Sequence, residues 1–71
     1  MLLALAPLHV ELEVIKIMLD ESDKKKFEKM GLVVGTKVTI LDSTNGNLII
    51  LIDGTNRIAL DKSIATKILV R

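Results

Sequence analysis

The 71-residue sequence contains no cysteine, no tryptophan and no tyrosine, and it has one histidine, one phenylalanine and one proline. Without cysteine the chain cannot form a disulfide framework, a zinc knuckle or a thiolate-held iron–sulfur cluster. A single histidine excludes a histidine-rich metal cage. The near absence of aromatic side chains removes the stacking platforms that single-stranded nucleic-acid binders use. The composition therefore excludes thiolate metal sites and argues against nucleic acid as a partner.

The charges that are present nearly cancel, since ten Lys and Arg residues face nine Asp and Glu residues for a net charge of +1. A dedicated duplex DNA binder usually carries a strongly basic face, which this balance does not provide. The apolar N-terminal stretch, residues 1–8, is interrupted by Pro7 and falls far short of the ~20 residues of a membrane span. We therefore expect one cytoplasmic domain over residues 1–71 with no direct membrane insertion.

Catalysis is not expected from this composition. Ser22, Ser43 and Ser63 have no base nearby in any known catalytic arrangement, and one histidine cannot build a pocket that a domain of this size barely permits. The sequence therefore predicts a binding protein and not an enzyme.

Alternating apolar and polar residues predict the first strand. Val10, Leu12 and Val14 alternate with glutamates, which directs one face of the strand into the core. Ile15 and Ile17 then fall on the opposite phase, so one extra residue is needed to restore the register. The pattern predicts a β-bulge near Val14 and Ile15.

The charged stretch that follows carries the signals of a short helix. Asp20 or Ser22 can cap its start by accepting a backbone N–H bond. Gly31 stands just beyond its end, where glycine suits a left-handed conformation, and Leu32 is placed to contact Phe27 as in a Schellman motif. We therefore predict a helix that is inserted after the first strand and ends at this glycine.

Turn signals divide the rest of the chain into four more short strands. Asn45-Gly46 favours a type I′ hairpin turn, and Asp53-Gly54 gives the next turn. Asp61 can cap a short helical turn near residues 61–65. Five short strands with this spacing are typical of a small barrel or sandwich. The pattern predicts a mainly β fold with an inserted helix near residues 21–30.

Three segments together resemble a known family. Residues 27–38, FEKMGLVVGTKV, are similar to the signature L-x-x-[LM]-G-L-x-P-G-T-x-V of the FeoA family, ferrous iron transport protein A. Residues 57–60, RIAL, and residues 65–70, ATKILV, resemble the family's closing pattern R-I-A-L…A-x-x-I-x-V. The order and spacing of the three segments extend the resemblance over nearly the whole chain, from about Leu5 to Val70.

The sequence departs from the family pattern at two places. Val34 stands where the family usually has proline, although the following Gly35 is kept. Family members also often carry a glycine soon after the first apolar segment, where this chain has Pro7, Leu8 and His9. The first departure removes a preset φ angle from a turn, and we expect little change from it.

The resemblance implies a fold and a function. It implies a small SH3-like five-stranded β-barrel with a helix after the first strand. It further implies a cytosolic accessory of ferrous iron uptake that docks on a membrane ferrous iron transporter of the FeoB type, whose cytosolic part is a GTPase. The same fold resembles the C-terminal domain of iron-dependent repressors of the DtxR type. The alternative is therefore a metal-responsive domain that binds Fe²⁺ or Mn²⁺.

The helix lysines are candidates for contact with an acidic partner. Lys25, Lys26 and Lys29 crowd one short helix, and charges of this kind mainly raise association rates. The alternative is a solvated helix face on which Glu28 pairs with Lys24 or Lys25 at helical spacing.

Apolar residues beside the lysines and at the N-terminus are further candidates for partner contact. Met30 can repack against a partner because its side chain is flexible. Leu3 and Leu5 belong to the N-terminal leucines, which are expected either to cover an open end of the barrel or to meet a partner. The alternative for Met30 is packing in the core.

His9, Glu11 and Glu13 form the one candidate metal set. Imidazole and carboxylate are suitable ligands for Fe²⁺ or another divalent transition metal. Alternate residues of a strand share a face but stand about 7 Å apart, too far to meet at one ion without bending. A solvated polar face opposite the buried valines and leucine is the alternative.

Overall fold

The computed structural model describes residues 1–71 and contains five strands and two α-helices. The strands are β1 (Glu11–Ile17), β2 (Lys37–Thr44), β3 (Asn47–Ile52), β4 (Asn56–Asp61) and β5 (Ile68–Val70), and the helices are α1 (Glu21–Glu28) and α2 (Lys62–Ala65). A 3₁₀-helix spans Leu3–Leu5. The strands form one antiparallel sheet in the order β4-β3-β2-β1-β5, which leaves β4 and β5 at its two ends.

Strand β1 changes partner along its length. Its first half, Glu11 to Glu13, pairs with β2, and its second half pairs with β5 from Val14 onward. Val14 is opposite Val70 and Lys16 is opposite Leu69, so Ile15 is an extra residue in the ladder. This confirms the predicted bulge, which bends the strand and lets the sheet wrap around one core.

The core consists of alternate strand residues from all five strands together with residues from the connections. Fourteen buried apolar residues form one cluster: Leu3, Leu12, Val14, Phe27, Leu32, Val38, Ile40, Leu48, Ile50, Ile52, Leu60, Ala65, Ile68 and Val70. Burial of one face of each strand is what the period of two predicts. Nearly all of the core residues are Leu, Ile or Val, and Phe27 is the one aromatic residue among them.

Helix α1 begins and ends as predicted, although it is shorter than residues 21–30. The Asp20 side chain accepts the amide of Asp23 at 2.9 Å, which identifies the N-cap. Gly31 has a φ of +89°, and the amide of Leu32 donates to the carbonyl of Phe27 at 3.0 Å. The amide of Gly31 donates to the carbonyl of Glu28, which completes a Schellman motif.

Both predicted hairpin turns are present, but the turn type predicted for the first one is wrong. Gly46 has a φ of +83°, but Asn45 does not have a positive φ, so Asn45-Gly46 is not a type I′ turn. Asp53 and Gly54 both have positive φ, at 52° and 73°, and the amide of Thr55 donates to the carbonyl of Ile52. The type I′ pattern therefore belongs to the second hairpin.

The N-terminal residues form part of the core and of the sheet. Leu3 is completely buried, so the prediction that its side chain meets a partner is wrong: the 3₁₀-helix points it into the core beside α2 and β5. Leu2 forms a bridge with Leu69 on the outer side of β5. Leu5 remains 80% exposed.

Candidate partner-binding surface

A groove of about 450 Å³ separates α1 from the edge strand β4. Its walls come from α1 and the turn after it, from β4, from α2 and from the start of β3. The residues that line it are Asp23, Lys26, Phe27, Met30, Asn47, Ala59, Asp61, Ser63 and Ile64. The α1 members follow a spacing of three and four residues, which places them on one face of the helix. The groove therefore combines apolar lining residues with charged and hydroxyl groups.

Phe27 fixes the position of α1 beside the groove. Its ring is buried in the core cluster, and it is the residue that ties α1 to the core. Gly31, just beyond the helix, has the Ile52 side chain 3.6 Å from the position of an added Cβ, while Asp23 lines the groove together with Asn47 and Asp61. The helix therefore runs from the Asn47 end of β3 towards the Ile52 end, alongside the sheet.

Two of the three predicted lysines lie away from the groove. Lys26 lines it, with its Nζ atom 5.9 Å from the centroid of the Phe27 ring, whereas Lys25 and Lys29 are exposed elsewhere on the helix. The two ion pairs of the molecule both involve Glu13, so neither Lys24 nor Lys25 pairs with Glu28. The helix cations are thus free of acidic partners within the chain.

Of the predicted apolar contacts, Met30 lies in the groove. It is half-buried and packs against the core cluster, so the core-packing alternative and the surface prediction each describe part of its environment. Leu5 lies outside the groove, on the 3₁₀-helix that packs against α2. Helix α2 is therefore the element shared by the two regions.

The candidate metal residues do not assemble into a site. No three His, Asp or Glu side chains of the molecule are close enough to hold one ion. The Glu13 carboxylate forms ion pairs with the Arg71 guanidinium at 3.2 Å and with the Lys37 ammonium at 4.0 Å. The Nε2 atom of His9 lies 2.9 Å from the carbonyl oxygen of Leu41. The three residues do not form a three-ligand site, and metal binding by His9, Glu11 or Glu13 stays a prediction.

The sequence prediction missed the groove residues on β4 and α2. Asp61 was predicted to cap α2, and its carboxylate does accept the amide of Ser63 at 2.9 Å. The same bond, with a second from the Ser63 side chain, lowers the pKa of Asp61 below its usual value. The charge of Asp61 also faces the groove, which its role as a cap gave no reason to expect.

A family model described as "FeoA domain" matches residues 1–71, the whole chain. A search of curated proteins found no significant match. None of the helices has the length and apolar character that crossing a membrane requires.

Solved structures support the same relationship. A crystal structure of an iron uptake regulatory protein, FeoA, is 26% identical, with a TM-score of 0.89, and the match covers 100% of this chain and 95% of that one. A FeoA-like protein from Clostridium acetobutylicum is 27% identical, with a TM-score of 0.81 over 97% and 81% of the two chains.

A third structure bears on the fold. Stenotrophomonas maltophilia FeoA, complexed with zinc and described as a prokaryotic SH3 domain protein, is 23% identical, with a TM-score of 0.79 over 100% of this chain and 89% of that one. The likeness confirms the predicted SH3-like architecture, with its mainly β sheet and two short helices.

Proposed function

Because the chain belongs to the FeoA domain family, we propose that it is a cytosolic accessory protein of ferrous iron uptake. In this proposal it docks on the cytosolic, GTPase-bearing side of a FeoB-type transporter and modulates that transporter. Its role is binding and not catalysis. The description of the Stenotrophomonas protein offers that protein as a ferrous iron transport activating factor, which agrees with such a role.

The observation that carries the proposal is the set of unpaired cations on α1. Lys25 and Lys26 lie in α1 and Lys29 is its C-cap residue, and no carboxylate of the chain lies within ion-pair distance of these three lysines. Unpaired charges of one sign steer an oppositely charged partner and raise its association rate. The adjoining groove supplies apolar surface from Phe27 and Met30, which a docked partner can cover.

Modulation follows from differential binding. A small protein without chemistry of its own changes a transporter only by binding one of its conformations more tightly than another. Docking through α1 requires no rearrangement of this fold, because Phe27 and the Schellman motif hold the helix in place. The energy for the shift then comes from contacts that one transporter state offers and the other does not.

The test measures association kinetics between the protein and the cytosolic domain of its cognate transporter. The variant Lys25→Glu/Lys26→Glu is compared with Lys16→Glu/Lys67→Glu, which changes the net charge equally at exposed positions outside α1. We expect the helix variant to associate about tenfold more slowly at low salt. The difference should narrow as salt screens the charges.

Two results would contradict the proposal. Equal slowing in both variants would mean that net charge alone acts, and unchanged kinetics in the helix variant would remove α1 from the contact. Circular dichroism of both variants before the measurement ensures that a change in rate does not reflect loss of the fold.

A further inference from the structure

Strand β4 has an unpaired outer edge with a defined pattern of hydrogen-bonding groups. The amide of Lys62 donates to the carbonyl of Gly46 at 2.9 Å, which continues the regular β3–β4 ladder beyond its last paired residues. Backbone groups of an antiparallel strand point alternately to either side. The amides of Arg57, Ala59 and Asp61 therefore point away from β3, and none of them donates a hydrogen bond within the chain.

The groove lies along this edge. Ala59 and Asp61 line it from β4, and they are two of the residues whose amides point outward. The opposite wall is formed by Phe27 of α1 and by Met30, two residues beyond the end of the helix. An extended segment in the groove can therefore bond to the β4 edge while its side chains contact the helix, which is the arrangement of strand addition beside a helix.

The charges of the groove indicate which segment fits. Asp23 and Asp61 lie at the Asn47 end, and neither forms an ion pair. The one cation in the groove, Lys26, lies over the Phe27 ring. Towards the other end the lining is apolar, with Phe27 and Met30. An added strand directs alternate side chains to opposite faces of the sheet. One set can therefore be apolar and cover Phe27 and Met30, while long basic side chains of the other set reach the two unpaired carboxylates.

We propose that the groove between α1 and β4 binds an extended peptide segment with alternating basic and apolar side chains, which adds to β4 as a sixth strand. The small side chain of Ala59 leaves the middle of the edge open to this approach. The source of the segment, a cytosolic part of the transporter, rests on the proposed function. The groove itself is tested with a free peptide, so the two ideas can fail separately.

The probe is a capped heptapeptide in which lysine and valine alternate, Lys-Val-Lys-Val-Lys-Val-Lys, added to ¹⁵N-labelled protein. We expect saturable shifts along α1 and β4. Hydrogen exchange at Arg57, Ala59 and Asp61 should slow by about tenfold or more at saturation. The amides of Ile58 and Leu60, which already face β3, should be unaffected. Protection without this alternation would overturn strand addition.

Two N-methylated peptides sharpen the experiment. One carries the methyl groups on its valine nitrogens and the other on its lysine nitrogens. Only one of these sets can face β4 in an added strand, because backbone groups alternate in direction. One methylated peptide should therefore lose binding and the other should keep it. Equal binding by the two would contradict the proposal.

Protein variants test the edge and the charge independently. Ala59→Pro removes an outward amide without touching the β3 ladder, as proline on an edge strand does, and Ala59→Val serves as its control. Asp23→Asn should lower the affinity for the lysine–valine peptide about two- to fivefold, which is the contribution of one exposed ion pair. This test does not depend on whether Ala59→Pro folds. An unchanged affinity in Asp23→Asn, or protection of β4 that rises with protein concentration in the absence of peptide, would overturn the proposal. In the second case a second copy of the chain would be the occupant of the edge.

Discussion

The two end strands of the sheet are protected to different degrees. On β5 the Met1 nitrogen donates to the carbonyl of Val70 at 2.8 Å, and the amide of Val70 donates to the carbonyl of Met1 at 2.8 Å. Leu2 adds a bridge to Leu69 on the same side. On β4 the outward amides find no partner in the chain. The covered edge is part of the fold, whereas the open edge is a template for another strand.

The difference separates stability from binding. The segment that covers β5 also delivers Leu3 to the core, so covering this edge and completing the core are one event. The open edge is accompanied by a groove and by unpaired charges. Substitutions on the covered side should therefore act mainly on the free energy of unfolding, and substitutions on the open side mainly on association.

Leu3→Ala, on the covered side, should cause the largest loss of unfolding free energy. Leu3 is completely buried, so the substitution loses burial and leaves a cavity, which costs about 2–5 kcal/mol of unfolding free energy. Leu5→Ala, two residues away on a side chain that is 80% exposed, should stay within about 0.5 kcal/mol. Urea unfolding at equilibrium measures both. A Leu3 variant as stable as the Leu5 variant would show that the N-terminal segment is not part of the core.

Thr36→Val should give the next largest loss. The buried Thr36 hydroxyl donates to the carbonyl of Gly31 at 3.0 Å and accepts the amide of Val33 at 3.3 Å, which fixes the loop between α1 and β2. Valine keeps the shape but leaves these groups unsatisfied, at a cost of about 1–3 kcal/mol. Thr39→Val on β2 is the matched control, because its hydroxyl makes no hydrogen bond. Equal unfolding free energies for the two variants would contradict this role for Thr36.

Local chemistry explains what could be predicted from the sequence. The helix stop at Gly31 and the bulge at Ile15 depend on a few neighbouring residues, and both are confirmed. The prediction of a type I′ turn at Asn45-Gly46 is wrong although its signal is local. Both Asn-Gly and Asp-Gly permit two successive positive φ angles, and the geometry of the hairpin decides which of the two turns adopts them.

The candidate surface was less predictable because it depends on distant contacts. Lys26 and Met30 were identified, but Ala59 and Asp61 line the same groove from β4, and nothing near these two residues in sequence indicates that β4 is an end strand. For Leu3 the sequence left two alternatives open, covering an end of the barrel or meeting a partner, because a short leucine-rich segment has the same pattern in either place. The left-handed φ of +63° at His9 was also missed, since it is held by a bond from its amide to Ile40 on another strand.

Val34→Pro, in the turn before β2, should stabilise the fold slightly. The amide of Thr36 donates to the carbonyl of Val33, and Gly35 has a φ of +94°, so Val34 occupies the turn position at which proline is favoured. The Val34 amide makes no hydrogen bond in the chain. Proline should raise the free energy of unfolding by about 0.4–1 kcal/mol by restricting the unfolded chain. Val33→Pro removes the bond to Thr36 and should destabilise instead; the opposite order of the two variants would contradict this turn assignment.

Asp61, on the open side, should have the smallest effect, and its effect should depend on pH. The backbone and side-chain hydrogen bonds from Ser63 lower the pKa of Asp61 in the folded state below the usual value of 3.8. The ionised carboxylate therefore contributes stability that is fully present above the unfolded pKa and is lost as pH falls through the folded pKa. Asp61→Asn keeps an N-cap residue but cannot titrate, so the difference in unfolding free energy between the two proteins should shrink as pH is lowered from about 5 to about 2. Ser63→Ala keeps the backbone donor and removes the hydroxyl, so an NMR titration of the Asp61 carboxyl carbon should give a pKa between those of the folded and unfolded wild-type chains. If Asp61 titrates in the folded protein as it does in the unfolded chain, the cap does not favour its charged form, and the carboxylate that faces the groove is held no more firmly than any surface side chain.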